Sequence, residues 1–322
     1  MKRRNVFVVV MLLLLLASVA LAGRGDRWMG SFGHLGEKPG ELDGPYDVAV
    51  GPDGNLYITD ANNHRVQKWN PEGKPLLIIG KEGKEPGEFE KPTGIAVAPD
   101  GSVYVSDYFL DRIQKFTSDG TFLLQWGKSG KGNGEFDSPS GIAVDSQGNV
   151  YVVDTYNHRI QKFTSDGKFL LLWGEKKKVN NIRSALNFLW DEDLEGKFYY
   201  PAKIAISPAD EIYVADSYNN RVEVFSSDGR FLRKWGGMGL WGGRFRVASD
   251  IAFDREGNAL VADFYNQRVQ RFDPSGRYLD QFGSKGEKER ELNGPTGLAV
   301  DAEGFIYVTD FHNARVQKFQ PE

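Results

Sequence analysis

One segment is written six times along the chain, as ITDANNHRVQKW, VSDYFLDRIQKF, VVDTYNHRIQKF, VADSYNNRVEVF, VADFYNQRVQRF and VTDFHNARVQKF. Its aspartates fall at Asp60, Asp107, Asp154, Asp216, Asp263 and Asp310, and its arginines at Arg65, Arg112, Arg159, Arg221, Arg268 and Arg315. Successive copies lie 47, 47, 62, 47 and 47 residues apart. A unit of that length cannot bury its apolar face alone, so neighbouring units must stack on one another.

The interior of one period reads as four strands. In the third copy, GIAV at residues 141–144 is a short apolar strand, and the Gly148-Asn149 turn leads into a second at residues 150–153. A polar loop at residues 154–158 precedes an alternating third strand at 159–163, and Ser165-Asp166-Gly167 turns the chain into a fourth at 168–173. Four antiparallel strands per period predict one propeller blade, and six copies predict an all-β, six-bladed propeller. The apolar strand should be innermost. The fourth, with Lys168, Arg230 and Lys234, should be an outer edge guarded by charge. The sixth copy ends at Glu322, just after its third strand, while RWMGSFG at residues 27–33 matches fourth strands such as FLLQWG. The N-terminal strand is therefore expected to complete the last blade and close the ring.

Residues 1–22 differ in kind from the rest. Lys2, Arg3 and Arg4 precede an apolar run over 6–22 that ends in Ala20-Leu21-Ala22, the pattern of a cleaved signal peptide, with an uncleaved N-terminal anchor as the alternative. The expected compartment is extracytoplasmic, with no further membrane segment and a monomeric domain from residue 23 to 322. The chain has no cysteine, which excludes disulfides, thiolate zinc sites and thiol catalysis. Its formal net charge is −4, and loss of the three leading cations would make it −7. That balance, with mixed charges between blades (three Lys and four Glu over 81–91), argues against nucleic acid as a partner.

Because the Asp–Arg pair is present six times, it reads as structural, pinning the hairpin between second and third strands, and is a candidate link between blades. Function is sought where the repeat breaks. The hairpin loops carry aromatics, and alternation favours Phe109, Tyr156, Tyr218 and Tyr265 as exposed contacts for a protein, peptide or glycan, with His312 beside them. Tyr108, Phe264 and Phe311, directly after the aspartate, can equally wedge between blades. At the inner-strand starts, Thr93-Gly94, Ser140-Gly141 and Thr296-Gly297 contrast with Asp47, Lys203 and Asp250. Two carboxylates and an ammonium converging on the channel mouth would orient a polar ligand group or neutralise one another. The long spacing adds 15 residues within about 175–200, where Ile182, Leu186 and Leu189 suggest a short helix, as a lid or as packing on the rim.

The GIAV strand, the Gly-Asn turn, YVxD and NxRVQKF together resemble the NHL repeat across residues 23–322. The resemblance implies a six-bladed ring whose ligands meet the face bearing the second-to-third strand loops. Peptide-amidating lyases, which are similar in fold, hold zinc on histidines near inner-strand starts. Here Tyr46, Thr93, Ser140, Ala202, Ser249 and Thr296 occupy those starts, and His34, His64, His158 and His312 lie apart. Lactonase-like propellers hold calcium at the channel, for which Asp47 and Asp250 would be the available carboxylates. The sequence favours a non-catalytic binding or scaffold module without a cofactor, with a calcium-dependent lactonase-like hydrolase or lyase as the rival.

Overall fold

The computed structural model describes residues 26–179 and 194–321. The signal segment 1–22 and the helix expected around Ile182, Leu186 and Leu189 lie outside the described residues.

Six four-stranded antiparallel sheets form six blades. The innermost strands are Pro45–Val50, Pro92–Val97, Pro139–Val144, Lys203–Ile206, Ala248–Phe253 and Pro295–Val300. Each is followed outward by a second, third and fourth strand, as in Val150–Asp154, Arg159–Phe163 and Phe169–Trp173 of blade three. Second strands such as Val103–Asp107 and Val150–Asp154 are buried along their whole length. They pack against blades on both faces, which explains continuous apolar runs where a one-sided sheet would alternate. The core is accordingly divided into wedges between blades. Tyr57 and Val66 of blade one meet Ile95, Val105 and Phe116 of blade two in one such wedge.

The ring closes as the ends of the sequence predict. Arg27–Phe32 pairs antiparallel with Arg315–Gln320, so the first strand of the chain is the outer strand of the last blade. Trp28 Nε1 donates to Gln317 Oε1 at 3.0 Å, and Asp26 contacts Arg271 of blade five at 2.7 Å, carrying the seam past a single blade. The outer edge departs from expectation. Lys168 falls in the turn before Phe169–Trp173, whose exposed positions are Leu170 and Leu172, so charge does not guard every edge.

The inner strands begin irregularly. Pro45 faces Asp60 and Val48 faces Ile58, so the inner strand uses one residue more than its partner, and Pro139 and Ile142 repeat the offset. Such a bulge re-aims the side chains at its centre. Here these are Tyr46 and Asp47, or Ser140 and Gly141. At the glycine positions adjacent blades approach closely: a Cβ on Gly94 would overlap the Ser140 carbonyl oxygen.

Candidate functional site

The upper face is held by a bracket of four side chains. In blade three, Asp154 Oδ2 accepts from Arg159 Nε at 2.7 Å, Asn157 Nδ2 at 3.0 Å and Gln161 Nε2 at 3.1 Å, while Oδ1 accepts the Asp137 N–H at 2.8 Å. The rest of the guanidinium donates to the carbonyls of Lys131, Gly132 and Glu135, in the crossover that arrives from blade two. Asp60–Arg65, Asp216–Arg221, Asp263–Arg268 and Asp310–Arg315 repeat the contact at 2.7–2.9 Å. The pair therefore fastens hairpin to crossover. Links to the next blade come instead from the residue before the arginine in the first five blades, as when Asn220 Oδ1 accepts the Val247 N–H at 2.9 Å.

Two blades depart from the bracket. In blade two, Asp107 and Arg112 face each other in register, but Asp107 accepts only backbone N–H groups, from Glu90, Lys91, Phe109 and Leu110, and Arg112 Nε has no hydrogen-bond partner. Leu110 stands where the other blades have Asn63, Asn157, Asn219, Asn266 and Asn313, so the amide that helps hold the carboxylate is missing. In blade four the bracketing glutamine is replaced by Glu223, fully buried and 3.0 Å from Arg221 Nη2. Burial pushes its carboxyl up to about 8.

Within this frame the hairpins and inner-strand starts enclose a cup of ≈370 Å³ above the central channel. Tyr46, Tyr108, Tyr156, Tyr200, Tyr218, Phe264, Tyr265 and Phe311 line it, with the hydroxyls of Ser140, Thr155, Ser217, Ser249 and Thr296 between them. Tyr156, Tyr218 and Tyr265 are about half exposed, at 48%, 56% and 54%, and belong to the lining. Phe109 is exposed at 59% but lies outside it, as does the exposed His312. The residues directly after the aspartates, Tyr108, Phe264 and Phe311, line the cup as well as packing there. Tyr108 meets Tyr156 edge-on at 6.2 Å, and Phe311 meets Tyr46 at 6.0 Å. Tyr200, from the end of the long insertion, packs on Tyr156, Tyr218 and His158. Burial pushes His158 down to about 4, and its neutral Nδ1 accepts the Tyr200 N–H at 3.0 Å. His158 is thus a strut for the cup wall.

Asp47, Lys203 and Asp250 lie one residue deeper, beneath the cup, where they line a second cavity of ≈200 Å³ in the channel. All three are buried. Lys203 crosses the channel from blade four to an ion pair with Asp47 of blade one. Asp47 also accepts the N–H groups of Val48 and, in the next blade, Ile95. Asp250 clips blade five to six in the same way, through Ile251 and Leu298. Burial pushes the Asp250 carboxyl up to about 8, against the pull of Lys203 and with a further push from Asp47. Tyr46 caps the trio: Lys203 Nζ lies 5.6 Å from its ring centre, and burial beside Asp47 pushes its hydroxyl up to about 12. The carboxylates are thus committed to blade-to-blade N–H groups and to an ammonium, whereas calcium takes ~6–8 oxygens. Among the described residues no three His, Asp or Glu side chains gather as a metal cluster. The trio does not fit a calcium ion in this arrangement.

Tyr46 and Tyr200 are the aromatic lining residues that the hairpin pattern does not reach. Tyr46 is legible as the aromatic exception among the inner-strand starts, and Tyr200 as one of two tyrosines ending the insertion.

Fold and site together define a six-bladed β-propeller with an aromatic cup over a plugged channel. Five of its blades are NHL repeats, matched at residues 42–69, 136–163, 198–225, 245–272 and 292–319. The unmatched blade is blade two, where Leu110 interrupts the bracket. No curated protein sequence matches the chain significantly. Among solved structures, a streptogramin B lyase superposes with a TM-score of 0.60 at 15% identity, over 91% of this chain and 97% of that one. A catalytically inactive virginiamycin B lyase from Staphylococcus aureus, with quinupristin, gives 0.58 at 16%, over 90% and 87%. A protein of unknown function from Bacteroides thetaiotaomicron gives 0.64 at 14%, over 90% and 76%. At these identities the likeness is one of fold.

Proposed function

We propose that the protein is a rigid extracytoplasmic binding module that holds a peptide or glycan segment of a partner in the aromatic cup. The observation carrying this reading is the cup itself, which joins eight aromatic rings to a rim of hydroxyls with no charged residue in its lining. Its volume falls in the range of about 300–1,000 Å³ common to ligand pockets. Rigid aromatic side chains bury much area at low entropic cost. The hydroxyls of Ser140, Ser217, Ser249 and Thr296 donate to carbonyls of the next blade and leave only their oxygens to accept from a ligand, and the ion-paired floor leaves no free charge to demand an anionic one. Export is read from residues 1–22, and a free-standing binding role is in keeping with a cup whose lining holds no charged residue.

The test is capture on peptide and glycan arrays by the native protein and by a Tyr156→Ala/Tyr218→Ala/Tyr265→Ala variant. Capture should be lost while the melting temperature stays near that of the parent, since these rings are half exposed. Equal loss of both would reduce the rings to packing. A calcium-dependent rise in melting temperature that disappears in Asp250→Ala would displace the proposal in favour of the calcium-dependent hydrolase or lyase.

A further inference from the structure

The crossovers between blades share one backbone. Gly83 N–H donates to Phe89 O, Gly130 N–H to Phe136 O and Gly239 N–H to Phe245 O, at 2.9–3.1 Å. Two of these loops are clasped on their outer side by Lys81–Glu88 and Lys128–Glu135 ion pairs at 3.2 Å, and the first carries His34 and Glu41 at the same places. The crossover into blade five has Gly237 and Arg244 there instead, with Arg244 Nη1 donating to Gly236 O at 2.6 Å. Its tip is also different in kind. Where the second crossover exposes Glu82, Lys84 and Glu85, this one has Met238, Leu240 and Trp241, exposed at 45%, 62% and 81%. Leu35 is the comparable apolar residue on the first crossover, where it stands alone among charges.

The tip is rigid rather than loose. The Trp241 carbonyl accepts from Arg268 Nη2 and from the Arg244 N–H, both at 3.0 Å, and the Gly243 N–H donates to Gln270 Oε1 at 2.9 Å. The blade-five bracket therefore presents three large apolar side chains to solvent. Keeping them there is unfavourable unless something apolar receives them.

Charge selects the receiver. From Arg230 to Ser249 the chain carries five cations and no carboxylate, in a protein of net charge −4. Arg233 is spent on Glu211, while Arg244 and the exposed Arg246 stand at the base of the loop. A stable protein interface needs upward of about 1,000 Å² of matched surface. Among the described residues the matching positions on other crossovers are charged or small apart from the lone Leu35, so three large apolar side chains gather on one tip alone. A fluid surface accepts such a tip without shape complementarity. Tryptophan favours the headgroup level, leucine and methionine the acyl boundary, and the cations beneath favour anionic headgroups.

We propose that the Met238-Gly239-Leu240-Trp241 tip docks the propeller on an anionic lipid surface. The absence of cysteine makes the test clean, because Leu240→Cys in the full chain gives a single attachment point for a polarity-sensitive fluorophore. Vesicles of phosphatidylglycerol and phosphatidylcholine should raise and blue-shift its emission several-fold. The change should be smaller with phosphatidylcholine alone and should weaken with added salt. The same label at the matched Lys84→Cys should report nothing. Adding Trp241→Ser should weaken the apparent affinity about tenfold. Unchanged emission at position 240 overturns the proposal, as does an equal response at position 84, which would mean attachment through another part of the chain. A lipid-free change that grows with protein concentration also overturns it, assigning the tip to a second copy of the chain.

Discussion

Blades three and four are consecutive, share their strand order and hold their hairpins with the same Asp–Arg contact, at 2.7 and 2.8 Å. They part at one atom of the bracket. Gln161 accepts the Gly134 N–H through Oε1 and donates through Nε2 to the Glu135 carbonyl. Blade four has Glu223 at that position, with Gly196 and Lys197 as the matching backbone partners. A carboxylate can only accept, whereas a protonated carboxyl both accepts and donates. Burial pushes the Glu223 carboxyl up to about 8, toward the protonated form, and both of its oxygens lie buried without a hydrogen-bond partner. The same repeat thus runs on a fixed amide in blade three and on a titratable group in blade four, where the insertion and Lys203 also break the pattern. The difference teaches that the strand architecture survives in a blade that lacks the two hydrogen bonds of this amide.

The largest effect tests what the two blades share. Asp154→Ala leaves the buried Arg159 without its counter-charge, and the equivalent Asp216→Ala does the same to Arg221. Each should destabilise by about 3–5 kcal/mol in denaturant unfolding, the cost of breaking one side of a buried pair. Asp107→Ala in blade two should cost about half as much, because Arg112 already does without that contact. Equal losses in all three blades would mean that the backbone N–H donors to the aspartate, rather than the ion pair, carry the bracket.

The second effect tests what separates them. The Glu223 carboxyl ordinarily titrates at 4.5, and the fold raises it to about 8. A group raised on folding contributes stability that is whole below its unfolded value and is lost as the pH climbs through the folded one. Glu223 should therefore weaken the protein progressively between pH 4.5 and 8. Glu223→Gln should remove that slope and raise stability by about 1–3 kcal/mol at about pH 8, while changing little at about pH 4. Gln161→Glu should import the same slope into blade three. Melting curves of both variants across this range check the pair, and parallel pH profiles for parent and Glu223→Gln would refute the proton's role.

Much of this architecture is legible in the repeat itself. Six copies, most of them spaced by 47 residues, leave little freedom in blade count, and the missing last strand at Glu322 with its spare copy at Arg27 names the closure. Periodicity reports what every blade does. The cup is made by what single blades do, and side-chain period reports exposure rather than membership of its lining. Alternation rightly marks Phe109, Tyr156, Tyr218 and Tyr265 as exposed, yet Phe109 stays outside the lining while the half-buried Tyr108, Phe264 and Phe311 belong to it. In the turns at Phe264–Asn266 and Phe311–Asn313 the first ring is half-buried and the second side chain exposed, and a half-buried ring can line the cup as readily as an exposed one. The depth of Asp47 and Asp250 is hidden by the irregular starts of their strands. A bulge places adjacent residues in different cavities, with Tyr46 lining the cup and Asp47 the channel below it.

The smallest effect asks whether blade two can be brought back to the pattern of blade three. Leu110→Asn restores the amide that elsewhere donates to the aspartate Oδ2 at 2.8–3.0 Å and to a crossover carbonyl at 2.8–3.0 Å. Those two bonds would draw Asp107 toward Arg112 Nε, which now lies buried without a partner. Net hydrogen bonds of this kind contribute about 0.5–1.5 kcal/mol each, and the lost leucine surface offsets part of the gain. A rise of about 0.5–1 kcal/mol is expected, read as a small increase in the denaturant midpoint at unchanged slope. If the variant is instead destabilised, blade two has settled into its own arrangement, with the N–H groups of Phe109 and Leu110 on Asp107 replacing the asparagine. The difference between the two blades would then be a second stable solution for the same hairpin, and the missing ion pair no longer a defect.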